Sequence, residues 1–259
     1  MYKNYNPILI VAGEPYSIFL EILFKSLKKN RFKNPIILIV SKKLFIEQMK
    51  KLNFNFKLNL LDKNRIDKEK VSLKNINIID VNFKFKKAFD KISNKSNVYI
   101  SECFKVALKL LKKMKYAGLI NGPISKKNFL NTNYLGITEY LAKKMNKQNK
   151  VAMLIYNQKL SVSPITTHLP VKDIHKNITR KKIIQQIKLI KEFYIKKFKI
   201  NPKIAITGLN PHCESNYKSS EEEKLIKPAI KYFDRKNYKL FGPLPADTVF
   251  MKEQANKYD

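Results

Sequence analysis

Short apolar runs alternate with stretches in which apolar residues recur every three or four positions. Ile8–Ala12 is an unbroken apolar run closed by Gly13, the pattern of a strand buried on both faces. Phe19, Leu20, Leu23, Phe24 and Leu27 then fall at helical spacing, predicting a helix over 16–29. A second buried strand is expected at Ile36–Val40, with a helix following through Gln48. Residues 51–96 mix Asn with apolar residues and allow short strands or loops. A helix over 98–115 and a strand over 117–120 follow, the strand ending at Asn121-Gly122-Pro123.

In the second half, 151–156 and 160–165 read as two strands joined by a turn at Asn157-Gln158. Residues 179–198 predict a long amphipathic helix with Ile183, Ile187, Ile190 and Tyr194 on one face. Lys203–Thr207 reads as a strand. Ser220 and Glu223 have capping-box spacing and predict a helix from there to about Asn237. Strands alternating with helices imply an α/β fold with a largely parallel sheet.

With 259 residues, 44% of them hydrophobic, the chain can bury a sizeable core in one large domain or two lobes. No apolar run reaches the roughly 18 residues needed to cross a bilayer. Cys103 and Cys213 lie far apart in sequence, which argues against a disulfide framework. A cytoplasmic protein is the expectation. The net charge of +33 invites a polyanion-binding reading, but its lysines run along the whole chain instead of collecting in one tail or stripe. A compositional habit that fills solvated positions with Lys explains this distribution, so neither a specific nucleic acid nor a membrane is expected as partner.

All six glycines sit in or beside segments that read as strand ends. Two such segments carry histidines, Thr166-Thr167-His168-Leu169-Pro170 and Gly208-Leu209-Asn210-Pro211-His212. A third, Gly242-Pro243-Leu244-Pro245-Ala246-Asp247-Thr248, adds a carboxylate. Neutral imidazole is a common ligand for zinc and related metals. Ends of neighbouring strands can bring such residues to one sheet edge. On spacing alone, a capping or core role for each histidine is as good a reading. His175, in a Lys-rich stretch, reads as a solvated surface residue, and Cys213 as a packing residue.

These segments, with Gly13-Glu14-Pro15, Asn121-Gly122-Pro123-Ile124-Ser125-Lys126 and Gly136-Ile137-Thr138-Glu139, occur in an order and spacing that resemble the NAD-dependent 4-hydroxythreonine-4-phosphate dehydrogenases of vitamin B6 biosynthesis. The resemblance implies the two-lobed fold of isocitrate and isopropylmalate dehydrogenases, here divided near 1–125 and 126–259. It also implies a homodimer with a shared active site, NAD or NADP as cofactor, and one divalent ion (Zn, Mg or Co) per site. No Gly-x-Gly-x-x-Gly fingerprint is present, so NAD rests on the resemblance only.

Carried over by matching motif, His168 and His212 are metal ligands, Thr138 and the adjoining Ile137 contact substrate, and Asp247 and Lys126 act in catalysis. Asp247 would orient a histidine or accept a proton, and Lys126 would meet phosphate or carboxylate. Glu14 reads as a turn residue. Ile137 departs from the histidine found in much of the family and can neither donate a hydrogen bond nor carry charge. That departure keeps open a sister dehydrogenase of a phosphorylated sugar acid such as phospho-threonate. Two further readings stay open: a phosphotransacetylase-like acyltransferase, needing no metal histidines, and a fragment binding polyanions nonspecifically. The family's third metal histidine falls just past Asp259. The expectation is therefore of a C-terminally truncated sequence, inactive and poorly soluble by itself, whose gene continues into a further His-bearing strand end.

Overall fold

The structure, a computed structural model, describes residues 6–113, 115–131, 133–148, 150–213 and 217–259. The chain folds as two compact units, Met1–Ile137 and Thr138–Asp259. The first is built on five parallel strands, β1 (Ile8–Val11), β2 (Ile36–Val40), β3 (Leu58–Leu60), β4 (Ile76–Asp80) and β5 (Gly118–Asn121), in the order β3-β4-β2-β1-β5. Leu9 lies in register with Ile37 on one side and Leu119 on the other. A parallel sheet is covered by its crossover helices, which is why its central strands read as unbroken apolar runs.

Helices α1 (Phe19–Lys29) and α2 (Lys42–Lys51) cover one face, where Leu20, Leu23, Phe24, Phe45 and Met49 pack on Ile10, Leu38 and Ile78. Phe24 is fully buried, edge-on to Phe45 and stacked with Phe56. Burying such a side chain contributes about 1.5–3 kcal/mol. Helix α3 (Asn97–Lys113) packs against β1 and β2 with Ile100, Phe104 and Ala107 fully buried. The Ser41 hydroxyl caps α2 by accepting from the Leu44 amide. The difficult stretch 51–96 resolves into β3 and β4 around the buried Asn77. Its amide donates to the carbonyls of Ile36 and Ser72, and its oxygen accepts from Ser72 N–H and from Asn59.

The ends of β1 and β5 approach unusually closely. Gly122 donates to the Val11 carbonyl at 2.8 Å and Glu14 to the Pro123 carbonyl at 2.9 Å. A Cβ on Gly122 would run into the Ala12 carbonyl, and Gly13 holds a φ of +78° that favours glycine.

The second unit begins in α4 (Ile137–Lys144) and continues through α5 (Val171–Asn177), α6 (Arg180–Phe198), β6 (Lys203–Thr207), α7 (Lys227–Lys231), β7 (Lys239–Leu244) and α8 (Lys252–Ala255). Strands β6 and β7 pair in parallel, with an irregularity between Ala205 and Thr207. Thr179 caps α6 by accepting from Lys182 N–H, and Ile183 and Ile187 join Ile226, Ala229 and Phe233 in the core.

Two expected elements are corrected. Residues 151–165 form no regular pair of strands, only an isolated antiparallel bridge between Ile155 and Val162. Polar side chains there divert the backbone: Asn157 accepts from Lys159 N–H, and the Ser163 hydroxyl donates to the Met153 carbonyl. Ile155 and Tyr156 stay largely exposed, so little burial rewards pairing. The helix expected over 220–237 is a π-helical turn at Glu222–Ile226 followed by the short α7. Pro228 has no N–H with which to continue the helical ladder. Ser220 does accept from the Glu223 amide, but the Glu223 carboxylate pairs with Lys227 and does not complete the capping box. Among the described residues, no helix is long and apolar enough to cross a membrane.

Candidate active site at the ends of the second unit's strands

The loop after β6 is fixed from three directions. Gly208 N–H donates to the Leu244 carbonyl at the end of β7, 3.0 Å away. Glu222, only 3% exposed, accepts from the amides of Leu209 and Asn210 at 2.8 and 2.9 Å. Asn210 in turn accepts from His212 N–H, an Asx turn that sets the loop's direction. The Pro211 carbonyl accepts from Ala246 N–H at 2.7 Å and so stitches this loop to the one after β7. The result places His212 Nδ1 2.9 Å from Asp247 Oδ2. The imidazole is otherwise in solvent, its side chain 74% exposed, which leaves Nε2 open to a ligand.

Burial pushes the Glu222 carboxyl up, but hydrogen bonds from the Asn210 and Leu209 amides, its own amide and the Ser220 hydroxyl together hold it below its ordinary range. Glu222 is therefore the charged anchor of the His212 loop. Reading the sequence missed it, because it sits in Glu221-Glu222-Glu223, where an acidic run resembles a solvated helix start. The available signal was that run itself, in a chain with only 20 acidic residues. Cys213 sits beside the ligand candidate with its thiol pushed up by burial, although the Gly208 amide opposes the rise. A thiol that stays protonated is a poor ligand.

His168 lies in the loop before α5, exposed and at a φ of 58°. Thr138 and Thr167, the latter next to His168, both line a cavity of about 280 Å³ shared with Glu139, Gln148, Lys182 and Gln186. A second cavity of about 280 Å³ is walled mainly by apolar side chains, Ile183, Ile187, Ile204 and Ile206 among them, and no Lys or Arg of the described residues lines it. Lys126 opens a π-helical turn, Lys126–Leu130, that follows β5, and its side chain is exposed. Lys126 and Ile137 belong to the first unit, while Thr138, His168, His212 and Asp247 belong to the second.

The structure thus joins His212 directly to Asp247 and places Thr138 on one cavity with Thr167. Among the described residues, no three His, Cys, Asp or Glu side chains gather as a metal-ligand cluster. The donor chemistry still fits a divalent ion in part. An imidazole whose Nδ1 is held by a carboxylate presents Nε2 for coordination, and His168 offers a second exposed imidazole. Two imidazoles are one fewer than the three protein ligands typical of a catalytic zinc site.

Parallel strands with a His–Asp pair on the loops beyond their carboxyl ends have the arrangement in which open α/β sheets commonly bind ligands. The family model described as pyridoxal phosphate biosynthetic protein PdxA matches residues 31–259, and the chain belongs to that family. It is 36% identical to the 4-hydroxythreonine-4-phosphate dehydrogenase of Sulfurihydrogenibium sp. over 94% of this chain and 75% of that protein. The enzyme of the same name from Wigglesworthia glossinidia brevipalpis is 30% identical over 97% of this chain and 76% of its own length. Among solved structures, the 4-hydroxythreonine-4-phosphate dehydrogenase of Klebsiella pneumoniae superposes with a TM-score of 0.82 at 25% identity, over 98% of this chain and 79% of that one. The α/β fold with a parallel sheet expected from the sequence is the fold observed.

Proposed function

We propose that the protein oxidises 4-phosphohydroxy-L-threonine at its secondary hydroxyl in vitamin B6 biosynthesis. The alcohol carbon gives up a hydride and its oxygen a proton. The resulting ketone is β to the carboxylate, so carbon dioxide leaves and 3-amino-2-oxopropyl phosphate remains. The observation that carries the reading is the His212–Asp247 pair, 2.9 Å apart at the strand ends, in a member of this family.

NAD or NADP would take the hydride. A divalent ion (Zn, Mg or Co) would be held by His168 and His212, and what it supplies when bound is Lewis acidity toward the hydroxyl. Asp247 Oδ2 holds the proton on His212 Nδ1, which fixes the ring's tautomer and leaves Nε2 basic. Thr138 presents a hydroxyl to the substrate, and Lys126 a compact cation for phosphate or carboxylate. A cytoplasmic homodimer with a shared active site, its lobes dividing near 1–125 and 126–259, belongs to the same proposal. Ile137 favours one second reading, a dehydrogenase of a phosphorylated sugar acid, because an apolar side chain forgoes a substrate hydrogen bond at that point.

The test is metal-dependent reduction of NAD with 4-phosphohydroxy-L-threonine, together with direct measurement of bound metal. His168→Ala and His212→Ala should each abolish metal retention and nearly all turnover. Both side chains are exposed, so the melting temperature should hardly move. Full activity after exhaustive chelation and after either substitution would rule the reading out.

A further inference from the structure

Away from the strand ends, α6 and the end of α7 gather positive charge around one phenol. Lys188 Nζ, on α6, donates to the Tyr232 hydroxyl at 3.1 Å. Lys236 Nζ stands over the same ring, 3.4 Å from its centroid, and Lys188 Nζ is 4.9 Å from that point. Tyr232 closes α7 and is 37% exposed, with its ring edge-on to Phe233 at 5.0 Å. Phe233 belongs to the core of the second unit, so the ring is anchored on one side and reachable from solvent on the other.

Two ammonium groups held against one ring repel each other, and a negative charge on the phenol oxygen relieves that repulsion. The hydrogen bond and charge of Lys188, joined by the charge of Lys236, hold the Tyr232 hydroxyl below its ordinary ionisation range. A cation over a ring face interacts with the whole π-system, whereas a donor at the hydroxyl acts on the oxygen where the charge forms. Tyr238 supplies the comparison, with Lys191 Nζ over its ring, 3.7 Å from the centroid. Exposure alone would favour other tyrosines, Tyr217 at 75% and Tyr156 at 50%.

We propose that Tyr232, clasped by Lys188 and Lys236, is this protein's preferred modification site for electrophiles that attack a phenolate, nitrating agents being the class. With tetranitromethane, the ring carbon beside the phenolate carbon bonds to the nitrogen of one nitro group. That nitro group's bond to the reagent carbon breaks, and trinitromethanide leaves with the electron pair. The hydrogen on the attacked ring carbon departs as a proton, the ring regains its aromaticity, and 3-nitrotyrosine remains. Lys188 and Lys236 touch no reacting atom of the reagent; they raise the fraction of the reactive anion. The inference is independent of the dehydrogenase reading.

The test treats the folded protein with a limiting amount of tetranitromethane at mildly alkaline pH and maps 3-nitrotyrosine over its 13 tyrosines by peptide mass spectrometry. Tyr232 should take the first label, ahead of Tyr217, Tyr156 and Tyr238. Lys188→Met should slow nitration of Tyr232 about two- to fivefold, the range set by an exposed charged pair, and leave the rate at Tyr217 unchanged. Lys188→Arg, which keeps both charge and donor, should hold the original rate. Lys188 is exposed, so circular dichroism of both variants should match that of the unsubstituted protein. Labels ranked by exposure with Tyr217 first, or a Tyr232 rate that Lys188→Met does not alter, overturn the assignment. Labelling of Tyr238 as fast as Tyr232 overturns it too, because a cation on the ring face would then suffice.

Discussion

Asp247 acts through geometry, not through burial. It is partly exposed, its partner His212 more so, and an exposed His–carboxylate pair adds little to stability. Its effect is to choose which ring nitrogen carries the proton. Asp247→Asn should therefore lower divalent-metal affinity ~10–100-fold with hardly any change in melting temperature; an unchanged affinity in a metal titration would refute the orienting role. Glu222 is the opposite case, an anchor that matters through its charge. Its folded-state carboxyl lies below the ordinary value, so its contribution is present above the unfolded pKa and is lost as pH falls through the folded one. Acidification below the usual carboxylate range should thus release the His212 loop. The loss should appear as faster amide exchange at Leu209 and Asn210, and Glu222→Gln should show that faster exchange already at neutral pH. Glu14 shows the reverse sign: burial raises its carboxyl, and the Ser96 hydroxyl and Tyr16 amide offset that rise only in part. Motif spacing could reveal His212 and Asp247, because their loops announce themselves through Gly and Pro. It could not reveal Glu222, whose role depends on which backbone amides the chain brings to it.

At the scale of elements, β1 and β2 were legible because a strand covered on both faces must be apolar throughout, and Gly13 and Gly208 mark where the chain leaves β1 and β6. Helices α1, α3 and α6 were legible through a single buried stripe. What failed is equally physical. Residues 151–165 have the alternation of strands, yet Asn157 and Ser163 satisfy backbone groups locally and the ladder stops at one bridge. Around Asn77 the sequence allowed either short strands or loops, because a polar residue in a buried strand is readable only once its four hydrogen bonds are known. The junction of β1 with β5 is the element contact most sensitive to a single atom. Gly122→Ala must drive a methyl group against the Ala12 carbonyl, where backbone and not a flexible side chain is in the way. The substitution should cost about 1–3 kcal/mol by urea unfolding. Gly118→Ala, at the start of β5 with open space around it, should cost far less.

For the whole molecule the dominant quantity is the excess of 53 basic over 20 acidic residues. The Lys–Glu pairs among the described residues do little to relieve it. Lys25–Glu21, Lys105–Glu102, Lys196–Glu192 and Lys227–Glu223 each join neighbours three or four residues apart, so they stabilise a turn without linking distant parts. Most lysines are left to repel one another through solvent, a force that opposes the compact state. Salt screens that repulsion, since the Debye length falls from ~30 Å at 0.01 M to ~8 Å at 0.15 M ionic strength. The melting temperature should therefore rise between these conditions, by about 2–4 °C for each kcal/mol of repulsion removed. A charge distribution organised into a binding stripe would show something further, a DNA affinity with discrimination between sequences that outlasts screening. Here any DNA binding should be sequence-indifferent and fall away steeply with salt, as lysines spread along the chain dictate. A melting temperature that stays level or drops as salt is added would mean that the lysines are already compensated within the fold.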